Sequence, residues 1–156
     1  MDEVKYISSV SDLFSIRKND HIKLTCDIDC EEATTACFTE IFRGRFDGGG
    51  FTIRNLILTD TIWGDEQRIS LFNYLSNAII CNVIFDNIII DINLGRYTPK
   101  IAGLCVESTN SIIRNVTMSA ITNCSSVPLI YETNGGEAEQ LFMFCNGQAT
   151  KPVKYM

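Results

Sequence analysis

Histidine and proline are nearly missing from this chain of 156 residues: His21 is the single histidine, and three prolines interrupt the sequence. One imidazole leaves little room for chemistry that leans on histidine. Base is also scarce. Thirteen Lys+Arg face nineteen Asp+Glu, a net charge of −6. That argues against a direct nucleic-acid binder, because neutralising phosphates takes clustered Lys and Arg. No apolar run reaches membrane-spanning length, and Asp2 and Glu3 spoil the start of a secretory signal. The expectation is a cytoplasmic protein of one domain, long enough to bury its own core.

Alanine and leucine are few, seven and ten, against twenty-one isoleucines. Branching at Cβ stiffens χ1 and suits a pleated surface, whereas Ala and Leu favour helix. Twelve Asn and ten Gly supply turns, since both tolerate left-handed backbone. The composition therefore predicts an all-β protein of many short strands.

The seven cysteines (Cys26, Cys30, Cys37, Cys81, Cys105, Cys124 and Cys145) are odd in number and form no C-x-x-C pair. With no secretory signal, they read as thiols in a reducing compartment, buried as small hydrophobes. His21 with Cys26, Cys30 and Cys37 matches no standard zinc spacing, so neither a metal nor another cofactor is expected.

The chain repeats itself. Ile53-Arg54-Asn55-Leu56 returns as Ile80-Cys81-Asn82-Val83 and as Ile113-Arg114-Asn115-Val116, with Phe144-Cys145-Asn146-Gly147 as a degenerate fourth copy, at intervals of 27, 33 and 31 residues. Ser70-Leu71-Phe72 and Gly103-Leu104-Cys105 keep step with it, and Leu129-Ile130-Tyr131 looks like their next member. A coil of parallel strands explains this pattern, because one turn cannot bury its own apolar face but stacked turns share a core. The reading places Ile53, Ile80 and Ile113 directly over one another, with Asn55, Asn82 and Asn115 as a ladder of turn formers. At the N-terminus, Ser11–Ile16 is predicted as a short helix capped by Ser11. His21–Cys30 alternates as a half-buried strand, and together these two elements close one end of the coil.

Phe42-Arg43-Gly44-Arg45-Phe46-Asp47-Gly48-Gly49-Gly50-Phe51-Thr52-Ile53-Arg54-Asn55-Leu56 resembles the opening signature of GLUG-type repeat proteins. The Leu-Phe and Ile-x-Asn elements that follow, and the lead-in Leu24-Thr25-Cys26-Asp27-Ile28-Asp29, extend the likeness over about residues 8–125. Gly49 stands where the family usually has Asn, and Ser70 where it usually has Gly. The resemblance implies a small right-handed parallel β-helix, here of about four rungs. Residues 1–40 would form the cap helix and first strand, 41–147 the rungs and 148–156 a tail. It implies no shared catalytic residues.

Asp47-Gly48-Gly49-Gly50 lacks the Gly-Lys-Ser/Thr ending of a phosphate loop and reads as a tight turn. Asp60, Asp65, Glu66, Asp86, Asp91 and Glu107 offer carboxylates for glycoside cleavage, but no spacing singles out a pair. Binding suits the chain better. Two insertions, residues 60–68 and 93–100, leave successive turns at matching places and so project from one side. They carry Trp63, Asp65, Glu66, Arg96 and Tyr97, and Trp, Tyr and Arg are the preferred anchors of interfaces. Asp27, Asp29, Glu31 and Glu32 form an acidic stretch without base, suited to a basic groove. The expected function is a non-enzymatic, acidic intracellular inhibitor or adaptor. Its partner would be a basic, nucleic-acid-handling protein complex, by analogy with the small acidic proteins, anti-CRISPR-like mimics among them, that phages direct at host defences. A carbohydrate-binding or adhesin-like fragment is the first alternative and a polysaccharide lyase or hydrolase the second. The last turn leaves an open end near residues 141–150, covered either by Lys151–Met156 or by a second copy as a homodimer.

Overall fold

The computed structural model describes residues 3–63, 66–92, 99–124 and 126–156. It is nearly all β. Strand β1 (Val4–Ile7) leads through helix α1 (Val10–Leu13) into β2 (His21–Leu24), β3 (Ile28–Thr35), β4 (Thr39–Phe42), β5 (Arg45–Asp47) and β6 (Thr52–Leu58). A short pair follows, β7 (Thr61–Trp63) and β8 (Glu66–Ile69), then β9 (Phe72–Ser76), the long β10 (Ile79–Ile90) and β11 (Pro99–Ile101). The chain ends with β12 (Cys105–Thr122), β13 (Ile130–Cys145), β14 (Gln148–Thr150) and β15 (Val153–Tyr155). No helix is long and apolar enough to cross a membrane among the described residues.

Twelve strands make one curled, largely parallel sheet. The chain passes the same segments repeatedly, and each pass pairs in parallel with the one before. The first segment runs β4, β9, the start of β12, the start of β13 and β15, through Thr39, Phe72, Cys105, Ile130 and Val153. The second stacks Ile22, Phe46, Ile80, Ile113 and Ala138. The third stacks Ile28, Ile53, Phe85, Met118 and Met143. A fourth, after a bend, aligns Thr35, Leu58, Ile90 and Thr122.

The inward columns are the core: Phe46, Ile53, Phe72, Ile80, Phe85, Cys105, Met118 and Ile130 are fully buried. Phe72 touches Phe38, Phe42 and Phe46 at ring-centre distances of 5.7, 5.1 and 6.2 Å. All seven cysteines are free thiols, four of them buried. Burial pushes the Cys30 and Cys37 thiols up to about 11, and Cys105 higher still.

Expectation and structure part at the bends. Phe72 and Cys105 share one column as the repeat reading requires, and so do Ile80 and Ile113; the next member is one residue out of the expected alignment, with Ile130 and not Tyr131 beside Cys105. Ile53 does not join these isoleucines; it lies a bend further on, between Ile28 and Phe85. The degenerate copy at Phe144–Gly147 is likewise out of column, since Ile113 is followed by Ala138. One asparagine ladder becomes two. Asn115 Nδ2 donates to Asn82 Oδ1 at 3.0 Å, whereas Asn55 sits between Asp29 (2.9 Å) and Asn87 (2.7 Å). The physical reason is backbone conformation. Asn55, Asn82, Asn87 and Asn115 all have φ between 51° and 61°, the left-handed region that Asn tolerates. The tetrapeptide therefore marks any such bend, not one column.

The Gly48–Gly50 run is the tight turn expected. Gly49 and Gly50 have φ of 60° and 82°, and a Cβ on Gly48 would meet Asn82 O at 2.3 Å. The N-terminal helix is capped by Ser9, not Ser11: Asp12 N–H donates to Ser9 Oγ at 3.2 Å while Ser8 N–H donates to the Asp12 carboxylate at 3.0 Å. This reciprocal pairing fixes the start. The single strand expected over His21–Cys30 breaks into β2 and β3, because the chain must bend between two stacking segments. Ile7, Leu13 and Ile16 are buried against this first pass.

Candidate binding surface

The two insertions do meet. β7 and β8 form a hairpin (Trp63 opposite Glu66), and β11 pairs in parallel with β8 through Pro99–Gln67, Lys100–Arg68 and Ile101–Ile69. This three-stranded side sheet leaves the main stack between the fourth segment and the first. Asp65, Arg96, Tyr97 and the side chain of Trp63 lie outside the described residues. Glu66 is placed, and its setting shows what holds the sheet.

Arg68, 3% exposed, is the centre. Its Nε and Nη2 donate to Glu66 Oε2 at 2.9 and 2.7 Å, and Nη2 lies 3.5 Å from Glu107 on β12. Lys100 Nζ reaches the other Glu66 oxygen at 2.7 Å. One guanidinium thus ties the hairpin to the main sheet, and the forked geometry suits Arg, not Lys. The Lys100 hydrogen bond, then Arg68, holds the Glu66 carboxyl below its ordinary value, and Glu66 in turn raises Lys100.

The network runs on to aromatic residues. Lys100 Nζ is 5.8 Å from the centre of the Tyr131 ring. Lys154 Nζ lies 4.8 Å from Tyr131 and 5.4 Å from Tyr155, both within cation–π range. The two rings meet edge to face at 5.4 Å, and Tyr155 is 51% exposed. Contacts therefore run without a break from Glu107 and the nearly buried Arg68 through Glu66 and Lys100 to Tyr131, Lys154 and Tyr155 at the surface. Sequence reasoning gave no binding role to Arg68, Lys100, Tyr131, Lys154 or Tyr155, and took Glu107 only as a carboxylate for glycoside cleavage. A signal for two of them existed, since Glu107 and Tyr131 follow the Leu104 and Leu129 elements closely.

The acidic stretch is a separate patch that runs from the entry of the third segment, at Asp27, to the bend that leads into the fourth. Asp27 accepts from Thr52 N–H at 2.8 Å and lies 3.8 Å from Arg54. Asp29 accepts from Glu31 N–H and Asn55 Nδ2, both at 2.9 Å, and the Asn55 bond leads in holding its carboxyl low. Two of the four acids thus serve the bend. Glu31 and Glu32 are exposed, with φ of 51° and 64°, in a bulge where Asp29–Ala33 opposes Arg54–Leu56.

Set against family models, curated proteins and solved structures, the chain gives no match.

Proposed function

We propose that this chain is a non-enzymatic protein-binding module: a small right-handed β-helix of about four rungs, akin to GLUG-type repeats, that acts as an acidic inhibitor or adaptor on a basic, nucleic-acid-handling protein. One observation carries the binding reading. Arg68 fixes the inserted sheet to the main sheet, and Lys100 carries the same network on to the Tyr131–Lys154–Tyr155 cluster. Rigid, amphipathic tyrosines beside fixed charges are the composition of interface hot spots. The net charge of −6 favours encounter with a basic partner, and the exposed Glu31–Glu32 bulge adds to that attraction. The carbohydrate alternative runs through Trp63 and Tyr97, which lie outside the described side chains.

The test is retention of a partner from a lysate of the source cells at low and high salt. The wild type should retain a basic protein at low salt. Tyr131→Ala/Lys154→Glu should abolish retention, and Glu31→Lys/Glu32→Lys should weaken it. Retention that ignores both double variants overturns the reading, as does affinity on a glycan array without a protein partner.

A further inference from the structure

We infer that the unpaired middle of β13 is a receptor edge for an extended basic peptide segment, which adds in parallel as the next strand of the stack. In earlier passes the second segment is always covered. Arg45 is followed by Ile79, Ile79 by Ile112, and Ile112 by Glu137. Beyond β13 only the ends are covered: β15 pairs with Ile130 and Glu132, and β14 with Met143–Cys145. Among the described residues nothing pairs with the outer edge of residues 133–142. A row of peptide groups without strand partners is a template for strand addition.

The side chains on this edge state what the added strand must carry. Glu137 and Glu139 face outward, half exposed, and share one guanidinium, that of Arg114 on the pass below. Two carboxylates to one base leave a negative row on the uncovered side. Between them Ala138 continues the inward column of Phe46, Ile80 and Ile113, and Leu141 continues that of Val83 and Val116. Ala138 and Leu141 are only partly buried, whereas Ile113 and Val116 are closed over. Gln140, with φ of 53°, repeats the bend of Asn82 and Asn115. The complementary strand therefore reads basic, apolar, basic, Asn or Gly, apolar. A second copy of this chain fits worse: two such edges paired antiparallel about Ala138 would set Glu137 against Glu139 of the other copy, a like-charge opposition.

This inference rests on the reading of a basic protein partner but names a different surface for it. The probe is a labelled peptide, Lys-Ile-Lys-Asn-Val between Gly-Ser flanks, added to the whole chain at low salt. The expected result is a binding isotherm by fluorescence anisotropy with slowed amide exchange over residues 136–141. A peptide of the same composition with basic and apolar residues out of phase should bind about tenfold more weakly, because a one-residue slip turns every side chain to the wrong face. Glu137→Lys/Glu139→Lys should lose about tenfold for the basic peptide and accept Glu-Ile-Glu-Asn-Val in its place. Equal binding of the out-of-phase peptide, unchanged exchange at these amides, or indifference to the charge reversal overturns the inference. If the lysate partner is lost with Tyr131→Ala/Lys154→Glu but kept with Glu137→Lys/Glu139→Lys, the edge fails as its receptor and the binding function stands.

Discussion

The stack and its side sheet are held by different physics. In the stack, apolar side chains from successive passes sit over one another, and register does the specifying. In the side sheet, a nearly buried guanidinium gathers two carboxylates from two elements, with a lysine beside it. The first arrangement tolerates no misplaced volume. The second depends on charge state and on one fork-shaped donor. A frame that does not rely on its insertions leaves them free to vary, which is where binding surfaces are usually built.

The contrast is broken most directly at Phe72. It is fully buried against three other phenylalanines, so Phe72→Ala should cost about 3–5 kcal/mol in chemical denaturation. A loss below about 1 kcal/mol would mean that the columns are not a close-packed core. Arg68→Met should act on a smaller scale and locally. Glu66 and Glu107 are each about a third exposed, so the cost is about 1–2 kcal/mol. Hydrogen exchange should quicken in β8 and β11 while β10 and β12 stay protected. Uniform loosening would show that the side sheet is part of the frame.

What the sequence could reveal follows the same division. The columns of Phe72 and Cys105 and of Ile80 and Ile113 were legible because both pairs are 33 residues apart (105 − 72 and 113 − 80) with similar neighbours, whereas Ile130 follows Cys105 after only 25 and lies one residue from the expected alignment. Ile53 misled because its tetrapeptide matches Ile80–Val83 in letters. Its true counterpart is Phe85-Asp86-Asn87-Ile88, 85 − 53 = 32 residues on, close to the 33 that separate Ile80 and Ile113. An Asn in a left-handed bend leaves one signature wherever the bend falls, so the letters alone do not number the bends. That the insertions would lie side by side was also legible, from their matching exits. The Arg68 and Tyr131–Lys154 contacts were not, because they join residues whose nearness exists only once the passes are in register.

The two bends offer a finer comparison. At Asn82 the left-handed backbone and the side-chain bond to Asn115 are both lost to an aliphatic residue, so Asn82→Ala should cost about 1 kcal/mol or slightly more. Asn82→Gly keeps the backbone freedom and should cost less. Thermal melts of the pair separate the two contributions. Equal costs would show that the Asn82–Asn115 bond, not φ, matters at this bend.

Acid should separate the regions with the smallest energies of all. The Glu66 carboxyl is held below its ordinary value by Lys100 and Arg68, so its bonds stabilise the side sheet at pH above the unfolded value, about 4.3. That contribution disappears as pH falls through the lower folded value. With Glu66 about a third exposed, the amount is under about 1 kcal/mol. Asp29 is lowered by its Asn55 bond, so the Asn55–Asn87 bend should respond in the same direction. The Asn82–Asn115 bond joins two groups that do not titrate, and the amides around it should keep their protection over the same range. Exchange followed from pH 6 to pH 3, corrected for its intrinsic pH dependence, should therefore loosen the side sheet and one bend while the other holds. Equal loosening at both bends would show that acid acts on the frame as a whole and not through these two carboxylates.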